Sequence, residues 1–279
     1  MKEIDASLIT ETVSNLCIQA NTDLCYDIVQ AINDAYEAET WEPARETLLN
    51  IKENIKIAKE KELPICQDTG MVSVYIIMGP DVHINGDLVK AVNDGVSDGY
   101  TRGFLRKSMV SDPLRRVNTR DNTPAFITIE PAQGDYFKII VSPKGCGSEN
   151  KCKLKFLNPT DGEDEIVRFV VDTVKEAGAA PCPPIVIGVG IGGNFEKVAY
   201  LSKKALLRPL FKHNSDPYYA NLEKRVMEEV NKLGIGPQGF GGRTTCLGVA
   251  IETLPTHVAG LPVAVNISCH VTRRKCAEL

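Results

Sequence analysis

The chain has 279 residues, enough for one large or two small domains with a substantial buried core. Its net charge of −4 comes from 32 basic and 36 acidic residues scattered along the sequence, which argues against a general nucleic-acid binder, because such proteins carry a basic face. The acidic start lacks the apolar core of a signal peptide, and the longest apolar stretch, 182–193, is shorter than the roughly 20 residues of a membrane helix. We therefore expect a cytoplasmic protein that binds neither nucleic acid nor membrane.

Helical periodicity dominates the first 60 residues. Apolar side chains recur near a 3.6-residue period from Leu8 to Ile32, and Pro43 suits the first turn of a further helix. A β-rich run at 71–78 follows, and then a helix near 87–100. The helical portion at about 1–62 is a candidate lobe of its own, although no clear linker separates it from the rest.

Strand and helix patterns alternate in the remainder of the chain. Two β-rich runs, 125–130 and 136–142, flank a turn-rich link and predict a hairpin. Helices are predicted at about 163–177, 195–207 and 221–233, and strands at about 184–189, 246–252 and 262–267. This order predicts a mixed α/β fold, a helical N-terminal portion followed by layered strands and helices, as one domain over residues 1–279.

Cysteine is unusually frequent for a cytoplasmic protein, with nine residues against only four histidines. Cytoplasmic thiols stay reduced, so such cysteines more often bind metal or take part in catalysis than form disulfides. Cys17, Cys25 and Cys246 lie at apolar positions of predicted helices or strands, and we expect these to be buried as small hydrophobic side chains.

Three other cysteines lie in loops at strand ends. Cys66 lies between a helix and a strand, Cys182 among prolines that forbid helix, and Cys269 just after a strand. Their wide separation excludes the compact ferredoxin patterns, in which several ligands lie within a few residues. Cys146 and Cys152 form the only close pair and remain rival metal ligands.

Four segments together give the sequence a specific resemblance. They are Ile65-Cys66-Gln67-Asp68-Thr69-Gly70, the loop from Lys144 to Asn150, Ala180-Pro181-Cys182-Pro183-Pro184, and Ser268-Cys269. In order and spacing the chain resembles the α subunit of the two-subunit class I fumarate hydratases, which are iron–sulfur hydro-lyases. The L-tartrate dehydratase α subunit is nearly as similar. The resemblance covers nearly the whole chain.

The resemblance implies a cofactor and a reaction. It implies that Cys66, Cys182 and Cys269 bind three irons of a 4Fe-4S cluster on loops at strand ends, and that the fourth iron is open to substrate. An open metal position polarises a hydroxyl as a Lewis acid, as catalytic zinc does. The implied reaction is the reversible hydration of fumarate to (S)-malate, a step of the tricarboxylic acid cycle, with L(+)-tartrate dehydration as the alternative.

The resemblance also implies a substrate pocket. It assigns substrate binding to Gln67, Asp68, Arg106 and a backbone amide at Gly147, with Asp68 in a supporting catalytic role. Arg106 can bind a carboxylate in bidentate fashion; without the resemblance, the other arginines nearby would favour an exposed surface arginine. The chain departs from the family's three-glycine run by placing Cys146 in the middle of that loop.

A partner chain is part of the same implication. The main catalytic base and further substrate-binding residues are expected on a separate β subunit, so we expect activity only in a heteromer such as α2β2. A non-catalytic iron–sulfur or electron-transfer protein is the rival class, although electron carriers normally use four cysteine ligands.

A second rival reading is a nicotinamide-dependent enzyme. Residues 188–193 match the GxGxxG pattern, but no acidic residue lies about 20 positions later. We therefore interpret these glycines as a tight strand-to-helix turn. His270, next to Cys269, fits either a hydrogen-bond donor to the cluster region or a surface histidine.

Overall fold

A computed structural model describes all 279 residues as a mixed α/β protein. The helices are α1 (Ala6–Thr22), α2 (Tyr26–Ala38), α3 (Glu42–Glu60), α4 (Leu88–Arg102), α5 (Cys146–Glu149), α6 (Gly162–Ala177), α7 (Phe195–Ala205) and α8 (Pro217–Asn231). The strands are β1 (Lys2–Asp5), β2 (Met71–Met78), β3 (Val82–Asn85), β4 (Phe126–Pro131), β5 (Phe137–Lys144), β6 (Lys153–Leu157), β7 (Ile185–Gly192), β8 (Cys246–Leu254), β9 (Leu261–Ser268) and β10 (Lys275–Glu278). The predicted fold class, with a helical N-terminal portion followed by strands and helices, is confirmed.

The chain divides into two compact units that alternate along the sequence. Unit 1 comprises Met1–Cys25, Asn54–Cys146 and Arg273–Leu279, and unit 2 comprises Tyr26–Glu53 and Gly147–Thr272. Residues 1–62 therefore contribute to both units. The assignment of the chain to one functional domain stays a prediction.

Unit 1 is built on a four-stranded sheet in the order β10-β5-β2-β4. The predicted hairpin of β4 and β5 is wrong, because β2 lies between them, parallel to β4 and antiparallel to β5. The burial of apolar side chains explains this order. Strand β2 carries Val72, Val74 and Ile76, each at most 1 % exposed, and therefore takes an inner position. Strand β4 has no buried residue and forms an edge of the sheet. Helices α1 and α4 pack with this sheet in one apolar core.

Unit 2 is built on the sheet β6-β9-β7-β8, in which every residue of β7 is buried. A Cβ atom on Gly188 or Gly190 would overlap the carbonyl oxygens of Ser202 and Val198 on α7. These glycines therefore allow close packing of α7 on β7, and Gly192 and Gly193 turn the chain with positive φ. The interpretation of residues 188–193 as a strand-to-helix turn is therefore correct only for the last two glycines, because Gly188 and Gly190 lie within β7.

Most predicted elements are present, with several differences in detail. The N-terminal helical pattern is interrupted at 23–25, so that α1 and α2 are separate helices. Four short strands, β1, β3, β6 and β10, were not predicted, because four or five residues give too little alternation to detect. None of the helices combines the length and apolar character that crossing a membrane would require.

Candidate active site

Unit 2 brings the Cys182 and Cys269 loops to the same end of its sheet. Strands β7 and β9 are antiparallel, and Val186 at the start of β7 pairs with Ser268 at the end of β9. Cys182 precedes β7 and Cys269 follows β9, so the register places both cysteines at the same end of these two inner strands. The Cys182 side chain is exposed and that of Cys269 is half-buried.

Hydrogen bonds connect these two cysteine loops directly. The Cys182 carbonyl oxygen accepts from the backbone N–H of His270 at 3.4 Å and lies 2.9 Å from His270 Nδ1. Gln238 joins them, since its backbone N–H and its side-chain Nε2 each donate to the Pro183 carbonyl oxygen at 2.8 Å. Because a carbonyl oxygen can only accept, the bond to the Cys182 oxygen requires a proton on His270 Nδ1, and Gln238 Nε2, 3.2 Å from that atom, then donates to Pro183 alone.

Backbone conformation shapes the same loops. Cys182 adopts a positive φ of 55° and Gln238 one of 53°, a region that residues other than glycine, asparagine and aspartate rarely occupy. Residues in such conformations persist where surrounding contacts hold them, and they concentrate at functional sites. The hydrogen bonds of Gln238 and His270 supply those contacts here. Sequence reasoning missed Gln238, because nothing in the glycine-rich loop around it indicates its contact with Pro183.

The Cys66 loop belongs to unit 1 and is anchored from two helices. The backbone N–H of Ile65 donates to the carbonyl oxygen of Asn21 on α1 at 2.9 Å, and Asn54 on α3 donates to the Ile65 carbonyl at 2.9 Å. Ile65 itself is 5 % exposed, whereas the Cys66 side chain is half-buried and Gln67 is exposed. The anchored peptide thus fixes the backbone from which Cys66 and Gln67 project.

Asp68 ties the Cys66 motif to the following glycine loop. One carboxylate oxygen accepts from the Gly70 backbone N–H at 3.0 Å, and the other accepts from the Cys146 N–H at 2.9 Å. A Cβ on Gly145 would lie 2.7 Å from that second oxygen, so glycine is required for this approach. Asp68 therefore organises the loop that leads into α5.

The backbone after Asp68 is held by buried side chains of unit 1. The Tyr100 hydroxyl lies 2.7 Å from the Thr69 carbonyl oxygen, and the Asn122 amide donates to the Gly70 carbonyl at 3.1 Å; both side chains are fully buried. The Thr69 hydroxyl donates to the Arg106 carbonyl at 2.9 Å. The motif and the loop carrying Arg106 are thus joined, and burial raises the pKa of the Tyr100 hydroxyl, which keeps it a donor.

The predicted substrate-binding groups have exposed or accessible positions. The Arg106 side chain is exposed and makes no hydrogen bond or ion pair within the chain. Gly147 is exposed in the first turn of α5, where backbone N–H groups lack intrahelical acceptors, and the nearest atom to an added Cβ is the Ala180 oxygen at 3.6 Å. Cys66, Gln67, Asp68 and Arg106 belong to unit 1, and Gly147, Cys182 and Cys269 to unit 2.

Arg273 contacts the Cys66 motif, and sequence analysis did not predict this interaction. Its guanidinium donates from Nη2 to the Asp68 carbonyl oxygen at 2.8 Å, although the residue is only 4 % exposed. The Ser142 hydroxyl fixes the Arg273 backbone by donating to its carbonyl at 2.9 Å, and the buried Arg273 Nε has no partner. A basic run near the C-terminus ordinarily predicts a solvated surface, so sequence analysis does not reveal this buried cation.

The remaining cysteines differ in chemistry from the loop cysteines. Burial raises the pKa of the Cys246 thiol to about 12 and that of Cys17 further still, so both remain protonated, and their predicted burial is confirmed. The Cys152 sulfur contacts the backbone of Ile267, accepting from its N–H at 3.3 Å. The prediction that Cys25 is buried is wrong, because the residue lies between α1 and α2 rather than within a helix; it is half-buried, and its thiol donates to the Arg274 carbonyl oxygen at 2.9 Å.

The donor set fits a soft, thiolate-binding group. None of the nine cysteines forms a disulfide, and no three His, Cys, Asp or Glu side chains are grouped to hold a single metal ion. A four-iron cluster places each thiolate on a separate iron, so its ligands lie farther apart than the ligands of a single metal ion. Cys66, Cys182 and Cys269 all lie on loops with accessible sulfur atoms, and thiolates are the ligands that iron–sulfur clusters take.

Comparison with known proteins defines the class to which this α/β chain with loop thiols belongs. The sequence profile of the fumarate hydratase (Fumerase) family matches residues 10–278. The chain therefore belongs to the fumarate hydratase family, whose namesake activity is that of a hydro-lyase.

Curated relatives narrow the comparison. The chain is 32% identical over 278 residues to the L(+)-tartrate dehydratase subunit alpha of Escherichia coli, covering 98% of this chain and 91% of that protein. It is 40% identical over 273 residues, 95% of each chain, to a Methanocaldococcus jannaschii protein whose name gives the same assignment provisionally.

Proposed function

We propose that this chain is the α subunit of an iron–sulfur hydro-lyase that removes water from a small 2-hydroxy dicarboxylate or adds it to the corresponding alkene. The observation that carries the proposal is the hydrogen-bonded pair of Cys182 and Cys269 loops in a member of the fumarate hydratase family. Both loops lie at the same end of the inner strands β7 and β9 of the unit 2 sheet. The anchored Cys66 motif supplies the third thiol.

In this proposal Cys66, Cys182 and Cys269 each hold one iron of a 4Fe-4S cluster. When bound, a cluster with one iron free of protein ligands would supply a Lewis acid for the substrate hydroxyl. Gln238 and His270 hold the Cys182 and Cys269 loops in register. Ligand orientation by neighbouring hydrogen bonds is a general feature of metal sites.

Substrate binding is assigned to residues that are exposed in the structure. The Arg106 guanidinium can donate two parallel hydrogen bonds to a carboxylate, and the exposed amide at Gly147 can donate to a second acceptor. Gln67 is exposed next to Cys66 and can donate to substrate through its side-chain amide. Asp68, whose oxygens accept backbone N–H groups, supports catalysis by holding this loop in place.

Two dicarboxylates are the candidate substrates. The family profile favours fumarate and malate, and the names of the relatives favour L(+)-tartrate, which loses water to give the enol of oxaloacetate. The two reactions share the same bond changes, so the ligand set above does not separate them. We expect tartrate to be turned over because the most informative relatives carry that name over at least 95% of this chain.

The deciding experiment is anaerobic reconstitution of the chain with iron, sulfide and its β subunit, followed by separate assays. Fumarate formation from malate is followed by absorbance, and oxaloacetate formation from L(+)-tartrate by coupled reduction. A higher kcat/KM with tartrate supports the tartrate assignment, and a higher value with malate supports fumarate hydratase. Absence of both activities in a complex with full cluster content would contradict the hydro-lyase proposal.

A further inference from the structure

A long connection in unit 1, residues 103–123, runs from the end of α4 to the start of β4 and contributes little to the core; we call it the basic loop. It holds five basic and two acidic residues, a net charge of +3, in a chain whose net charge is −4. Every residue from 113 to 118 is exposed. The basic loop is therefore a local positive surface on an otherwise acidic protein.

Large apolar side chains also project from the basic loop. Phe104 and Leu114 are each 90% exposed, and Val117 is 60% exposed. Scattered exposed apolar residues are ordinary, but aromatic residues and arginines together are the composition that protein interfaces favour. The combination points to contact with another macromolecule.

Internal hydrogen bonds make the basic loop ordered. The buried Asn122 side chain accepts from the Ser108 backbone N–H at 2.7 Å, and the Asn118 amide donates to the Lys107 carbonyl oxygen at 2.9 Å. Near the tip, the Asp112 carboxylate accepts from the Arg115 N–H at 2.6 Å. A surface held this way loses little conformational freedom on binding, which favours affinity.

Strained conformations in the basic loop lead to the same conclusion. Four residues other than glycine have positive φ, and they are Phe104, Arg116, Arg120 and Asn122. Such conformations are unfavourable, persist only where the surrounding structure holds them, and cluster at functional sites. Phe104, Arg116 and Arg120 are exposed, whereas Asn122 is buried and bonds the backbone at the base of the loop.

We propose that the basic loop is the docking surface for the β subunit, through an acidic surface of that subunit with an apolar pocket for Leu114. This inference rests on the proposed function, because the relatives are named as alpha subunits. A symmetric dimer of this chain through the loop would place two surfaces of charge +3 against each other, which is unfavourable. A different, acidic chain is the complementary occupant.

The basic loop is also connected to the candidate active site. The base of the basic loop is joined to the Cys66 motif, since Thr69 bonds the Arg106 carbonyl and Asn122 bonds the Gly70 carbonyl. A partner bound to the loop would therefore contact the same ordered segment that carries Arg106. The interface and substrate binding are linked through these two hydrogen bonds.

The test is the affinity between the full chain and its purified β subunit, measured by calorimetry at several salt concentrations. Leu114→Asp should weaken binding about tenfold or more, since it places a charge in an apolar contact. Arg115→Gln should weaken binding about threefold at low salt and flatten the salt dependence. Val89→Asp and Lys56→Gln are matched controls on α4 and α3, exposed by 56% and 71% (side chain), and should bind as wild type.

Each result decides the proposal. Unchanged affinity in both loop variants, with unchanged thermal unfolding, would overturn it, as would failure of the wild-type chain to bind the β subunit. Loss of self-association in Leu114→Asp would assign the surface to a second copy, and oligonucleotide binding by the loop would assign it to nucleic acid; either would also overturn it. Iron content of the chain alone, measured separately, shows whether the cluster proposal fails independently.

Discussion

At the residue scale, burial divides the nine cysteines into protected and accessible thiols. Because only the thiolate reacts with alkylating agents, and the pKa of Cys246 is about 12, we expect its alkylation at pH 8 to be about a thousandfold slower than that of an ordinary thiol. In the cluster-free chain Cys66, Cys182 and Cys269 should react readily, and cluster loading should protect all three. Mass spectrometry after timed labelling gives the reaction rate at each site.

Cys276 is the internal control for this experiment, because it is exposed on β10 and should react equally with and without cluster. Protection of Cys146 or Cys152 in place of Cys182 would refute the ligand assignment. The contact between Cys152 and the Ile267 backbone argues that Cys152 will stay outside the ligand set.

Arg106 gives a second test at this scale. Arg106→Lys keeps the charge but loses the planar pair of donors, so kcat/KM of the complex should fall roughly 10- to 100-fold, in line with the strength of charged hydrogen bonds. Cluster iron should not change. Arg168→Lys, on the surface of α6 with a 67% exposed side chain, should leave the kinetics unaltered. Wild-type kinetics in Arg106→Lys would remove Arg106 from the pocket.

Gln238 is predicted to stabilise the cluster without touching substrate. Gln238→Gly tolerates the positive φ but deletes the side-chain bond to Pro183, so the rate of iron loss to a chelator should rise about 10-fold or more. The absorbance of the cluster follows this loss. The same change at the exposed Gln133 is the control, and equal rates in the two variants would argue against a positioning role.

At the element scale, the packing of α7 on β7 depends on glycine. Gly188→Ala should lower the free energy of unfolding by about 1–3 kcal/mol, because the added methyl overlaps the Ser202 carbonyl oxygen. Gly260→Ala, where the nearest atom is the His257 oxygen at 3.9 Å, should change it by less than about 0.5 kcal/mol. Urea unfolding measures both. A stable Gly188→Ala protein would mean that α7 can move away from the sheet.

The same element accounts for the dinucleotide-like glycine pattern. Gly188 and Gly190 lie within β7, and their lack of side chains is used by α7 rather than by a phosphate group. Asn194 then caps α7 by accepting from the Lys197 N–H at 2.9 Å. The role of these glycines is therefore identified by the helix that packs against them rather than by the sequence pattern.

At the scale of the whole molecule, we predict that the chain alone binds cluster but turns over poorly. The motifs of the predicted site hold two carboxylates: the Asp68 oxygens already accept two backbone N–H groups, and Glu149 forms an ion pair with Lys203 at 2.6 Å. Loss of a general base commonly costs about 10²–10⁴-fold, so the chain without its β subunit should be at least about a hundredfold slower than the complex. Iron analysis and initial rates on matched samples check this, and full activity from the isolated chain would refute the heteromer proposal.

The sequence by itself determined the periodic elements and the special loops. Strand β2 and helices α4, α6 and α7 were predictable because apolar period and capping residues such as Asp87 are local signals. The loop positions of Cys66, Cys182 and Cys269 were predictable because prolines and strand ends exclude regular structure there.

Only the tertiary structure decided which distant residues meet. The insertion of β2 between β4 and β5 depends on which strand buries most apolar surface, a comparison that no local pattern contains. The contact of Gln238 with Pro183 and of Arg273 with Asp68 joins residues 55 and 205 positions apart in sequence. Such polar contacts leave no periodic pattern in the sequence, because they depend on the geometry of loops that meet only in the folded chain.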